Sequence, residues 1–102
     1  MATVAQHLEQ FERNLAVSSR LEASDDFDWA VTTLFYAALH LMQAYMIQHD
    51  LKADSHRRRE QLMLAHSGLR IVVDQYRALR SLSEHARYEC RRFSREEFES
   101  IR

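Results

Sequence analysis

The sequence predicts an all-α fold: an antiparallel up-and-down four-helix bundle with a short extra C-terminal helix. Three observations carry that expectation. The 102 residues contain no proline and a single glycine, Gly68, so the turn chemistry that hairpins and sheets require is missing. Apolar residues recur at spacings of three and four, the period of a helix face. Ser, Thr and Asp residues stand where those periodic runs begin, as helix N-caps do. The length suits one domain over residues 1–102, with no room for a second core.

The first helix is expected from about Thr3 to Ala23, where Val4, Leu8, Phe11, Leu15 and Leu21 form one apolar stripe. "ASDDFDW" interrupts it, with Ser24 and Asp25 as candidate caps for the next helix and acids that suit a positive helix end. The second helix, from about Asp26 to His49, is expected to be the most buried. Trp29, Val31, Leu34, Phe35, Leu41, Met42 and Tyr45 cover more than half its circumference, and Ala30, Ala37, Ala38 and Ala44 permit close approach of a neighbour. Its length is about 35 Å at the helical rise.

Ser55 caps a third helix that opens "HRRREQ", and Ser67-Gly68 is expected to end or kink it. A fourth helix is expected from about Leu69 to Arg92, with Val72, Val73, Tyr76, Leu79, Leu82 and Ala86 inward. "SREEF" has the capping-box pattern, Ser94 with Glu97 three residues on, and opens a last short helix carrying Phe98 and Ile101.

Composition narrows the function classes. Hydrophobic content of 46% with 28% charged residues argues against a disordered tail. One cysteine, Cys90, excludes an intrachain disulfide and fits a reducing compartment. There is no signal-peptide pattern, and the longest apolar run, Leu34 to Leu39, is too short to span a membrane. The expectation is a soluble, cytoplasmic protein without membrane attachment. Net charge of −1 conceals an asymmetry, because residues 1–51 sum to −5 and residues 52–102 to +4. Thirteen of the fourteen basic residues are Arg, whose fork matches phosphate geometry. Arg57, Arg58, Arg59 and Arg87 are therefore candidate contacts for a nucleic acid or phosphate, although a solvated face explains the same charges.

No phosphate-binding glycine loop and no nucleophile–base–acid arrangement is legible. His56 and Glu60 lie one turn apart, and His49 and His66 are within conceivable reach, but isolated histidines are usually structural; the expectation is no metal and no cofactor. Cys90, between Arg87 and Arg91, reads as a half-buried inert thiol. His40 on the apolar second helix reads as a satisfied core histidine.

One pair invites a catalytic reading. "YRALRSLSEHARY" holds Arg80 and His85 with four residues between them. Their helical step of about 140° puts them on different faces, so a shared groove would need a second subunit. Histidine can take a proton from a ribose 2′-hydroxyl and Arg can neutralise charge on the phosphate, which is the chemistry of metal-independent RNA cleavage. The competing account pairs Arg80 with Glu84 one turn on and leaves His85 in water.

Three segments together resemble the HEPN family, named for higher eukaryote and prokaryote nucleotide binding. "DWAVTTLFYAALHLMQAYMI" resembles its long second helix, "DSHRRRE" the start of the next helix, and "LRSLSEHARY" the motif of its last long helix. Their order and spacing cover about residues 5 to 92. The resemblance implies a helical bundle that dimerises, with a nucleotidyltransferase or antitoxin as partner and RNA or a nucleotide as ligand. In active members an Arg followed after four to six residues by His is the ribonuclease site, and Arg80 and His85 match it. Two departures stand against activity: Ser81 follows the Arg where active members carry Asn or a strongly polar residue, and "ARY" at 86–88 resembles a branch that frequently lacks the catalytic His. The expectation is a dimeric, non-catalytic binding or scaffold component of a toxin–antitoxin or defence system. The alternatives are a metal-independent endoribonuclease using Arg80 and His85, and a plain helical adaptor.

Overall fold

The computed structural model describes residues 2–51, 55–66, 69 and 72–102. Five helices are present among them: α1 (Val4–Ala23), α2 (Phe27–Gln48), α3 (His56–Ala65), α4 (Val73–Tyr88) and α5 (Arg95–Ile101). The chain is an all-helical bundle with a short C-terminal helix, as its sequence predicts. The expected end of the third helix at Ser67-Gly68 lies outside the described residues, as do Arg70 and Ile71 near the expected start of the fourth.

Caps explain most of the boundaries. Thr3 accepts from the Gln6 amide while the Gln6 side chain accepts from the Thr3 amide, a reciprocal pair that starts α1. Ser55 accepts from the Arg58 amide at the start of α3. Ser94 and Glu97 close the expected capping box on α5. The entry to α2 differs from expectation. Ser24 terminates α1, and Asp26 is the N-cap of α2 without a side-chain hydrogen bond.

Aspartates supply the turns that glycine would otherwise make. Asp25 (φ 60°) and Asp50 (φ 56°) sit in the left-handed region just after α1 and α2. After α1, Asp26 N–H donates to Leu21 O (2.9 Å) and Asp25 N–H to Glu22 O (3.1 Å). Leu51 N–H and Asp50 N–H repeat the pattern onto Met46 O and Ile47 O after α2 (2.7 and 3.1 Å). Both are Schellman closures, and Asp is among the few non-glycine residues that visit this region readily. Cys90 (φ 56°) also ends α4 in the left-handed region, with Arg91 N–H reaching one residue further back, to His85 O. That stop at Tyr88 falls four residues before the expected end at Arg92.

α2 is the axis of the bundle and is buried on two sides. Phe27, Val31, Phe35, Met42 and Met46 fall on one face, and Phe35, Met42 and Met46 meet Met63 of α3, Leu69, and Val73 and Tyr76 of α4. At the α5 end, Phe27, Ala30 and Val31 join Phe93 and Phe98. Ala30, Ala37 and Ala44 recur every seventh residue on the opposite face and are buried. Their small side chains allow α1 to come close, as the Ser18 Oγ bond to Ala30 O (2.8 Å) shows. By length and hydropathy α2 meets the criterion for a membrane-crossing helix; its two buried faces are what a core helix requires.

The two-sided burial also corrects the sequence reading. Leu41, expected inward, is 44% exposed, and Trp29 is 57% exposed. Both lie about 120° around the helix from Phe35, on the strips between the two covered faces. Leu8 and Val72, also expected inward, are exposed as well. Phe98, on what reads as an accessory turn, is fully buried.

Truncation measures this assignment. Phe35→Ala is expected to cost about 3–5 kcal/mol. Leu41→Ala, half in water, is expected to cost about 1 kcal/mol or less. Urea denaturation of the two variants beside the wild type checks it, and equal losses would mean that the inner face of α2 is misassigned.

Candidate functional site

The polar side chains singled out by the sequence gather along α3 and α4, and α2 places them. The Phe35 ring packs against Tyr36, His56 and Tyr76 at centroid distances of 5.4, 6.0 and 5.7 Å. The Arg87 guanidinium lies 5.9 Å from its centroid. Charged groups of α3 and α4 are therefore layered over one buried aromatic ring.

Arg80 is held inside the chain. Its Nη1 is 3.5 Å from Glu60 Oε2 on α3, and its Nε is 2.9 Å from Glu84 Oε1 one turn on. The Nε contact is a close ion pair rather than an aligned hydrogen bond. Glu60 also takes Arg77 at 3.7 Å. His85 pairs instead with Glu89, Nε2 to Oε2 at 3.4 Å. Among the described residues no hydrogen bond or ion pair joins Arg80 to His85. The Arg80–Glu84 pair is the one that helix geometry alone predicts.

The four candidate phosphate contacts divide. Arg57 and Arg58 are exposed, whereas Arg59 is buried at 5% exposure. Arg59 Nη1 donates to His56 Nδ1 at 3.1 Å, with His56 in the tautomer that leaves Nδ1 free to accept. Arg87 is engaged throughout: Nη1 donates to the Tyr36 hydroxyl, Nε to Ser83 O at 3.2 Å, and the guanidinium stacks over Tyr36 and Tyr88. These bonds make Arg87 a strut between α4 and α2.

Burial, and then the charges of Arg80 and Arg59, hold the His56 pKa below its ordinary value. Burial also raises the Tyr76 phenol, and the neighbouring Arg59 offsets part of that rise. Away from this cluster, His40, expected as a satisfied core histidine, is half-buried and finds its hydrogen-bond partner in another histidine. It meets His7 of α1, Nδ1 to Nδ1 at 2.9 Å, and burial followed by the His7 charge lowers its pKa. His49 and His66 gather on Tyr45, which stacks on His49 (4.2 Å between centroids) and bonds His66 Nδ1 through its hydroxyl (3.2 Å). They do not join His56. Among the described residues no group of three or more His, Cys, Asp or Glu is placed to hold a metal ion. Cys90, expected half-buried, is exposed because it occupies the turn after α4.

Sequence reasoning missed Glu60 as the partner of Arg77 and Arg80, Tyr76 as the neighbour of Arg59, and Tyr36 as the acceptor for Arg87. The "HRRRE" spacing does signal that the first turn of α3 presents one Arg inward. Which one depends on how α3 is rotated against α4.

These features define an arginine-rich helical bundle whose conspicuous polar groups line its last long helix. Residues 4–102 match the model of the HEPN domain, and the chain belongs to that family. No curated protein and no solved structure matches it.

The two depressed histidines give the fold a pH dependence of known sign. Below the ordinary histidine value of 6.5, the unfolded chain takes up protons that the folded one resists, so stability falls with pH until the folded groups also titrate. The melting temperature is expected to drop between about pH 7 and pH 5, and to drop less in the double variant His40→Gln/His56→Gln. Identical slopes would show that neither residue is disfavoured as a cation in the fold.

Proposed function

We propose that this HEPN domain is a dimeric, non-catalytic binding or scaffold module that engages RNA or a nucleotide within a toxin–antitoxin or defence system. The family assignment supports a helical domain with a nucleotide- or RNA-related role. The observation that carries the non-catalytic reading is the separate pairing of the two motif residues, Arg80 with Glu60 and Glu84, and His85 with Glu89. A phosphate-stabilising Arg and a general base must converge on one phosphodiester. Here each is oriented by a carboxylate of its own, and the helical step separates them. The partner suited to such a module is a nucleotidyltransferase or an antitoxin, and the setting is the cytoplasm, without a membrane.

One observation favours a second reading, that of a metal-independent endoribonuclease. His85 is only part-buried, with its side chain 41% exposed, and its Glu89 partner is more open still. A second copy can therefore reach it, although Arg80 is held within its own chain by Glu60 and Glu84.

RNA cleavage in excess EDTA separates the two, with wild type beside His85→Ala, both checked as folded by circular dichroism and as dimers by size-exclusion with light scattering. The expected result is a dimer that binds RNA or nucleotide and gives no cleavage above background in either protein. EDTA-resistant cleavage that is lost in His85→Ala would overturn the non-catalytic reading. A monomer would overturn the dimeric one.

A further inference from the structure

Arg59 presents an electrostatic problem that the ion pairs of the bundle leave unsolved. Among the described residues it is the one charged side chain that is buried, at 5% exposure, and no carboxylate of theirs lies within ion-pair distance of it. Among the described residues its Nη1 bonds a histidine at 3.1 Å and its guanidinium lies beside the Tyr76 hydroxyl, while its buried Nε has no partner. The Tyr76 hydroxyl, on a residue only 4% exposed, is also without an aligned partner. A buried guanidinium is ordinarily paired, and an unmet donor in a native interior calls for an ion, a water or a function.

The surroundings identify the kind of ion. Arg59 is in the first turn of the ten-residue helix α3, beside amides that carry the positive end of the helix dipole. Its neighbour His56 accepts at Nδ1, so the proton of the neutral ring is on Nε2, a further donor. Tyr76 adds a hydroxyl. Arg80 stands close enough to lower the His56 pKa, against the smaller opposing effect of Glu84 and Glu60, and it pairs with Glu84 and, together with Arg77, with Glu60. Among the described residues, three guanidinium groups thus stand with two carboxylates at the α3–α4 seam, one positive charge in excess.

We propose that Arg59, His56 and Tyr76 form the floor of a phosphate-binding site at the α3–α4 seam, with Arg80 at its rim. The ligand is a phosphate group, whether the free ion or the terminal phosphate of a nucleotide or RNA end. A tetrahedral oxyanion can take the Arg59 Nε–H, the Tyr76 O–H and the His56 Nε2–H on different oxygens, whereas a chloride ion requires all three donors to converge on one atom. Arg57 and Arg58, exposed on the same turn, stay outside the site. It deepens the RNA- or nucleotide-binding reading, yet it does not need Arg80 and His85 to meet.

The test is the melting temperature of the full chain against inorganic phosphate, with sodium chloride at matched ionic strength as reference. Adenosine 5′-monophosphate and an internal dinucleoside phosphodiester serve as parallel probes. Phosphate is expected to raise the wild-type melting temperature above the chloride reference, as a ligand selective for the folded state does. Arg59→Met, which keeps much of the buried volume, is expected to weaken that response by roughly tenfold or more in phosphate concentration. Arg57→Gln/Arg58→Gln is expected to retain it. A response to the monophosphate but not to the diester points to a terminal phosphate, and a response to inorganic phosphate alone points to the free ion.

Tyr76→Phe removes only the hydroxyl, so if Arg59→Met does not fold, a several-fold weaker phosphate response in Tyr76→Phe is the expected result. The proposal is overturned if wild type shows no rise over chloride. It is equally overturned if the exposed-arginine variant loses the response, or if a folded Arg59→Met or Tyr76→Phe keeps it in full. Those results would leave RNA binding, measured separately, untouched.

Discussion

The rest of the molecule is organised around the burial of one phenylalanine ring. Phe35 is fully enclosed at the middle of α2, and α3 and α4 both reach it through polar aromatics, His56 and Tyr76. Arg87 covers it from the α4 side. Aromatic contacts of this kind combine a large buried area with a preferred geometry. They fix the rotation of α3 and α4 as well as their distance from α2. That rotation decides that Arg59 points inward and Arg57 and Arg58 outward, and that Glu60 lies against Arg77 and Arg80. The polar chemistry of the seam is downstream of an apolar constraint.

The charge asymmetry of the sequence finds part of its explanation inside the fold. Arg92, Arg95 and Arg102 from the basic half pair with Asp28, Asp25 and Glu22 from the acidic half. These bridges tie α5 and its approach to the α1–α2 turn, where Phe98 and Phe93 pack on Phe27. Exposed pairs contribute at most about 1 kcal/mol each, so the apolar contact holds α5 and the charges select its orientation. Several arginines that suggest a nucleic-acid face are thus already in use. Among the described arginines of the basic half, Arg57 and Arg58, exposed, and Arg59, buried, have no carboxylate partner.

Much of the fold was legible because helices announce themselves locally. The Thr3, Ser55 and Ser94 caps, the absence of proline and the three-and-four spacing each act within a few residues, and the structure repeats them. Burial on α2 was less legible. A helix covered on two sides has apolar residues nearly all round, so periodicity cannot tell Phe35 from Leu41 or Trp29; the Ala30–Ala37–Ala44 repeat was the signal that a second face is covered. Helix ends made by Asp25, Asp50 and Cys90 were hidden because the left-handed turn usually advertises itself with glycine. For the candidate site, the Arg80–Glu84 pair followed from helix geometry. Glu60, Tyr76 and Tyr36 did not, since each meets its arginine from another helix and sequence carries no register between helices.

The central claim is that Arg80 belongs to an ion-pair seam between α3 and α4. A double-mutant cycle of Glu60→Gln and Arg80→Gln in urea denaturation tests it most directly, with His85→Gln and Arg80→Gln as the comparison cycle. The account predicts coupling of about 0.5–1 kcal/mol between Glu60 and Arg80 and none beyond error between His85 and Arg80. Additive losses for Glu60 and Arg80, with coupling to His85 instead, would contradict it and return the two motif residues to a common site.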